Sequence, residues 1–284
     1  MTRTLSAGVL AVLAVGPACR QAPPPTPDVV AVMAPRVPDT PADAAWDAAP
    51  EHVATLLLQD LVEPRLMTPS TPQVRVRAIA APNEVAFRLE WADPSLDDLP
   101  GNGRFVDGCA VQVPATGDPN TPDPQMGQVG KGVQITYWRA DWQATVDGRG
   151  TAIQDLYPNA TVDHYPFEAP SLPAGCDAQR QMASRYAPAD AAGNRRGGPR
   201  TSAVEELVAE GPGSIAPAGT TAARGKGVRT PQGWAVVIVR PLPEGLSTTS
   251  RTSVAVAVWE GAAKEAGARK MRSGWVGLTM RGTS

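Results

Sequence analysis

Histidine and cysteine are nearly missing from this 284-residue chain, which carries two of the first and three of the second. His52 and His164 cannot form a tri-histidine metal site, and neither lies in an HExxH pattern or beside a nucleophile motif. Cys19, Cys109 and Cys176 are too few and too scattered for an iron–sulfur cluster, and no CxxCH exists for covalent haem attachment. Phosphate-cradling loops are also lacking, because the GKG triplets at Gly130–Gly132 and Gly225–Gly227 are not followed by helix-like sequence. Nor is there an excess of basic charge: 26 Lys and Arg stand against 28 Asp and Glu, so nothing attracts nucleic acid or an anionic bilayer. Asp97, Asp98, Asp107, Asp141 and Glu260 fall at turn-like positions, where carboxylates are expected to be solvated or turn-forming. The expectation is a protein without a catalytic constellation of its own.

A membrane-spanning run of about 20 apolar residues is absent from the N-terminus. Arg3, the shorter apolar stretch Leu5 to Val15, and the small residues Gly16 and Ala18 form instead a secretory signal pattern over residues 1–18. Cys19 stands where a bacterial lipoprotein would carry its lipid, although Pro17 suits a lipobox badly and ordinary cleavage after Ala18 explains the same residues. The implied location is the periplasm or cell envelope, with membrane contact only through such an anchor. Residues 19–43, rich in Pro, Ala, Val and Asp, read as an extended tether. Export permits a disulfide between Cys109 and Cys176, but two separate buried thiols explain them equally well.

From residue 44 to 284 the chain reads as one domain. The 30 prolines and 27 glycines of the full chain disfavour long helices. Apolar and polar residues alternate over Val74–Ala81 and Val85–Trp91, with Pro82, Asn83 and Glu84 between them, as in a hairpin. Strand-like composition returns at Val133–Trp138, Trp234–Arg240, Val254–Trp259 and Val276–Met280. Val53–Val62 and Val204–Glu210 are ambiguous, and their length favours strand. The sequence between Asp147 and Arg200 is irregular, as a covering or partner-binding excursion would be. These signals predict a mainly β, antiparallel two-sheet sandwich with long loops and few short helices.

Several segments in order carry a resemblance: FVDGCAVQVP at 105–114, QMGQ at 125–128, ITYWRADWQ at 135–143, DLYPNATVDHYPF at 155–167, AAGNRRGGPRTSAVEELVAEGPGSI at 191–215, GWAVVIVRPL at 233–242 and VAVAVWEGAAKEAGARK at 254–270. Together they resemble the haem b-binding gamma subunits of the ethylbenzene dehydrogenase and dimethylsulfide dehydrogenase group. The resemblance implies a β sandwich holding one noncovalent haem b between a methionine and a lysine. By position these are Met126 and, with Ser273 and Trp275 supporting the register, Lys270; Lys264 is the competing lysine. It implies an electron-transfer role rather than catalysis, with a molybdopterin catalytic subunit, an iron–sulfur subunit and a cytochrome c acceptor as partners. The Pro-rich tether fits a free-standing carrier equally well, and the alternative is a haem-free sandwich that binds a ligand or assembles a complex.

A ligating lysine must be the neutral amine, which from an unperturbed pKa costs roughly 4.6 kcal/mol at pH 7 unless burial and iron offset it. Taken singly, Met126 would be a loop residue filling a gap and Lys270 a solvated lysine. Trp138, Trp142, Trp259 and Trp275 are expected to pack the sandwich or flank a haem. Arg139, Arg269 and Arg272 are candidates for pairing with haem propionates, with none preferred.

Overall fold

A computed structural model describes residues 24–58, 60, 63–118, 120–160, 173, 175–186, 198–219 and 222–282. The expected signal sequence at residues 1–18, Cys19 and His164 lie outside the described residues. The described residues form thirteen strands: β1 (Val29–Met33), β2 (His52–Thr55), β3 (Gln73–Ala81), β4 (Glu84–Ala92), β5 (Gly108–Pro114), β6 (Val133–Arg139), β7 (Val204–Ala209), β8 (Ala216–Pro217), β9 (Arg224–Thr230), β10 (Gly233–Pro241), β11 (Thr252–Trp259), β12 (Met271–Arg272) and β13 (Val276–Arg281). Helices are short: a 3-10 turn at Ala44–Ala48, then α1 (Ala140–Val146), α2 (Ile153–Leu156) and α3 (Asp177–Tyr186).

The strands form one ladder in the order β8-β7-β6-β5-β11-β13-β1-β3-β4-β10-β9, which divides into two layers at β11. Residues Ala255–Trp259 of β11 pair with β5 in one layer, whereas Thr252–Val254 pair with β13 in the other. Alternation explains why the layers pack. Val85, Phe87, Leu89 and Trp91 of β4 share one buried cluster with Val111 and Val113 of β5 and with Val254, Val256 and Val258 of β11. Trp138 of β6 crosses the middle, its ring centroid 5.0 Å from that of Trp234 and 6.4 Å from that of Trp91. The sandwich is therefore as the alternation predicts, and both ambiguous segments begin as strands, His52–Thr55 and Val204–Ala209.

Two expectations need correction. Residues 19–43 are not tether throughout, since Val29–Met33 pair in parallel with β13 on one side and β3 on the other. Val29 and Ala31 belong to the core, and Val37 with Trp46 covers the outer face of β3 and β10. The many prolines around this stretch mask a five-residue strand too short to show alternation. Asp107 and Glu260 are not solvated turn acids either: with Asp93 they are buried, their carboxylates within 4.8 Å of one another. Asp107 accepts from the backbone amides of Gly261 and Asp97 and from Trp234 Nε1, tying three segments together at one end of the sandwich. Cys109 is buried in β5, and neither it nor Cys176 is in a disulfide.

Candidate functional site

The outer face of the β5–β6–β7–β11 layer is hollowed into a cleft of about 970 Å³, at the upper end of the range of about 300–1,000 Å³ typical of small-molecule pockets. The VAVAVW alternation of β11 creates the hollow. Its valines turn into the sandwich while Ala255 and Ala257 turn outward, and Ala110 of β5 lies opposite Ala257. Three small side chains leave the floor low, and Ile135, Tyr137, Leu207 and Trp259 form its apolar sides. Tyr137 and Trp259 have ring centroids 4.8 Å apart and define one end of that floor.

Met126 reaches the cleft from the long β5–β6 connection. That loop has no regular structure, so its position depends on single hydrogen bonds. Gln112 Nε2 donates to the Pro124 carbonyl at 3.0 Å, Trp275 Nε1 to the Pro122 carbonyl at 2.6 Å, and the Gly211 amide to the Met126 carbonyl at 2.8 Å. Met126 has φ 75°, in the left-handed region, and Gly127 follows at φ 81°. A β-carbon on Gly127 would meet the Lys131 carbonyl oxygen at 2.8 Å, so the QMG turn needs glycine there. A left-handed methionine is strained by about 1–2 kcal/mol, and strain of this kind concentrates where a side chain must be aimed.

Lys270 enters from the loop joining β11 to β12. Trp259 Nε1 donates to the Gly267 carbonyl at 3.0 Å and fastens this loop to the sheet. Burial, and secondarily the positive charge of Arg272, brings the Lys270 pKa down to about 8. Deprotonating it at pH 7 then requires about 1–2 kcal/mol, in place of the larger cost for a solvated lysine. Lys264, the competing lysine, is exposed and does not line the cleft.

Thus the two residues predicted as ligands, from loops more than a hundred residues apart in sequence, line one apolar cleft. A soft thioether and an amine shifted toward its neutral form suit a low-spin haem iron. The size and apolar lining suit a tetrapyrrole. Trp259 lines the cleft, Trp275 secures the methionine loop, and Trp138 and Trp142 are buried. Arg139 is held by Asp141 through two 2.8 Å contacts, and Arg269 donates to the Lys264 carbonyl at 3.1 Å. Sequence reasoning missed Arg104, Tyr137 and Gln112; for the last two the signal was present in their outward register, Gln112 opposite Ala255 of β11 and Tyr137 opposite Ala110 of β5.

The sequence model of the family "Ethylbenzene dehydrogenase" matches residues 43–271. The chain is 33% identical over 135 residues to a putative respiratory nitrate reductase heme subunit from Haloferax mediterranei, covering 47% of this chain and 49% of that one. It thus spans about half the length of that relative. It is 24% identical over 234 residues to the chlorate reductase subunit gamma of Ideonella dechloratans, covering 80% and 72% respectively. Among solved structures it is similar to a family 9 carbohydrate-binding module from Caldicellulosiruptor kristjanssonii, with 10% identity, TM-score 0.40 and coverage of 90% and 94%.

Proposed function

The chain belongs to the ethylbenzene dehydrogenase family, and on that footing we propose that it is an exported cytochrome-type subunit holding one haem b noncovalently, with Met126 and Lys270 as axial ligands. The observation that carries this reading is their convergence on one apolar cleft, with Lys270 drawn toward the neutral amine. Bound there, the haem supplies a one-electron couple. The chain's own residues do the rest. Met126 offers a donor that favours ferrous iron and raises the potential, and the alanine floor with Trp259 and Tyr137 excludes water. With relatives named as subunits of nitrate and chlorate reductases, the proposed partners are a molybdopterin catalytic subunit and an iron–sulfur subunit, with a cytochrome c as the exchange partner.

Residues 1–18 would direct export, and a lipid on Cys19 would hold the domain within about 30 Å of the bilayer, the reach of residues 20–28 fully extended. Among the described residues no helix is long and apolar enough to cross a membrane. The test is reconstitution with haem b. A Soret band and a sharp α-band on reduction are expected, and their absence from folded protein refutes the reading.

A further inference from the structure

We propose that Arg272 and Arg104 bind the two propionate carboxylates of the tetrapyrrole, so that the cleft selects a dianionic macrocycle and not merely an apolar disc. This rests on the haem-binding reading above. Four cationic side chains line the cleft: Arg104, Arg139, Lys270 and Arg272. Arg139 is neutralised by Asp141 at 2.8 Å. Lys270 is reserved for the iron. Arg104 and Arg272 have no carboxylate partner among the described residues, and the guanidinium of Arg104, an exposed residue, lies over the Tyr157 ring, 5.9 Å from its centroid.

Arg272 faces the cleft by register. It pairs with Ala257, whose side chain forms the floor, while its neighbour Met271 pairs with Val258 and is buried in the sandwich. Arg272 is partly exposed above this apolar floor, and a carboxylate arriving with the ligand would supply charge-assisted bonds that no carboxylate among the described residues makes. The cleft's own acid cannot do so. Glu265 lies along the wall, but its carboxylate accepts from Ser70 Oγ and from the Glu260 amide, and burial favours its protonated form. Two guanidinium groups without a carboxylate partner among the described residues therefore meet a ligand class bearing two carboxylates. The cation at the end of Pro100–Arg104 and the cation on β12 approach the cleft from separate segments, one for each propionate.

Binding of haem b and of its dimethyl ester to the full chain, read by Soret titration, tests this. The wild type should bind haem b about ten- to a hundredfold more tightly than the ester, which has the same iron and ring but no charge. Arg272→Gln and Arg104→Gln should each lose about tenfold toward haem b and little toward the ester, and Arg272→Lys should recover part of the loss. Equal affinities of the wild type for the two ligands, or variants that weaken both alike, overturn the propionate assignment while leaving haem binding intact. A wild type that develops no Soret band with either ligand overturns the haem reading and this assignment together.

Discussion

Lys270 Nζ stands over the indole of Trp259, 5.5 Å from the ring centroid. Burial, and secondarily Arg272, favour the amine and bring the pKa down to about 8, while the aromatic face acts the other way, favouring the ammonium by about 0.5–1 kcal/mol. The lysine is thus held within reach of deprotonation without being neutral in the empty cleft. In haem-loaded protein, Lys270→Ala should shift the Soret and α-bands and change the potential by tens of millivolts, as loss of an axial ligand does. Lys264→Ala should change neither, since that side chain points to solvent. The two difference spectra check the assignment, and an altered spectrum only in the Lys264 variant would reverse it.

A second prediction concerns the buried acids Asp107 and Glu260, which adjoin the cleft without lining it. Burial and the neighbouring carboxylates raise Asp107 to about 6 and Glu260 to about 7, from ordinary values of 3.8 and 4.5. Because these pKa values are raised on folding, the folded state binds more protons than the unfolded state between about pH 4 and 8. Stability should therefore increase as pH falls from 8 toward 5. Allowing for coupling between the two groups, the gain is on the order of 2 kcal/mol, or a few degrees in Tm. Thermal melts across that range measure it. Glu260→Gln should flatten the profile, and an unchanged slope in that variant would exonerate Glu260.

Much of this was legible in the sequence because period-two alternation marks strands buried on one face. VRVRAIAA and VAFRLEW place the hairpin, and VAVAVW even specifies which residues form the cleft floor. Three features were not legible. The strand Val29–Met33 gains its identity from neighbours on both sides, which no local pattern reveals. Asp107 looks like a turn acid because the amides and indole that surround it come from residues 97, 234 and 261. That Arg104 has no carboxylate partner among the described residues depends on which acids the fold keeps away from it. Pairing Met126 with Lys270 likewise required the resemblance, since nothing local joins two residues on separate loops.

The left-handed backbone of Met126 gives a third prediction. Both Met126→Ala and Met126→Gly remove the thioether, so both should lose the same features of the haem spectrum. In haem-free protein the glycine variant should be more stable than the alanine variant by about 1 kcal/mol, because only glycine adopts φ 75° without strain. Denaturant melts compare them, and equal stabilities would mean the turn relaxes once the sulfur is gone.

Gly127→Ala leaves both proposed ligands in the sequence but sets a β-carbon 2.8 Å from the Lys131 carbonyl and 3.1 Å from the Ala209 carbonyl. The turn must shift, carrying Met126 with it. Haem affinity should fall about tenfold or more while Lys270 still binds, yielding a spectrum like that of Met126→Ala. Wild-type affinity in this variant would show that the loop positions Met126 only loosely.

The N-terminal strand supports the sharpest stability prediction. Val29–Met33 fills the gap between β3 and β13, with parallel pairing on each edge. Val29 is 2% and Ala31 0% exposed, and burying a valine alone is worth roughly 1.5–3 kcal/mol. A chain beginning at Pro24 retains the strand, together with the Thr26 carbonyl that sits 2.7 Å from His52 Nδ1. It should melt within a few degrees of the chain beginning at residue 19. A chain beginning at Pro35 uncovers core valine and leaves two strand edges without partners, an opening into which other chains can pair. The loss should exceed about 5 kcal/mol, comparable with the whole stability of many domains, and the product should be aggregated or unfolded by circular dichroism. The family match begins at residue 43, so an expression boundary chosen there would remove this strand. A folded, haem-binding protein starting at Pro35 would show that β3 and β13 close on each other without it.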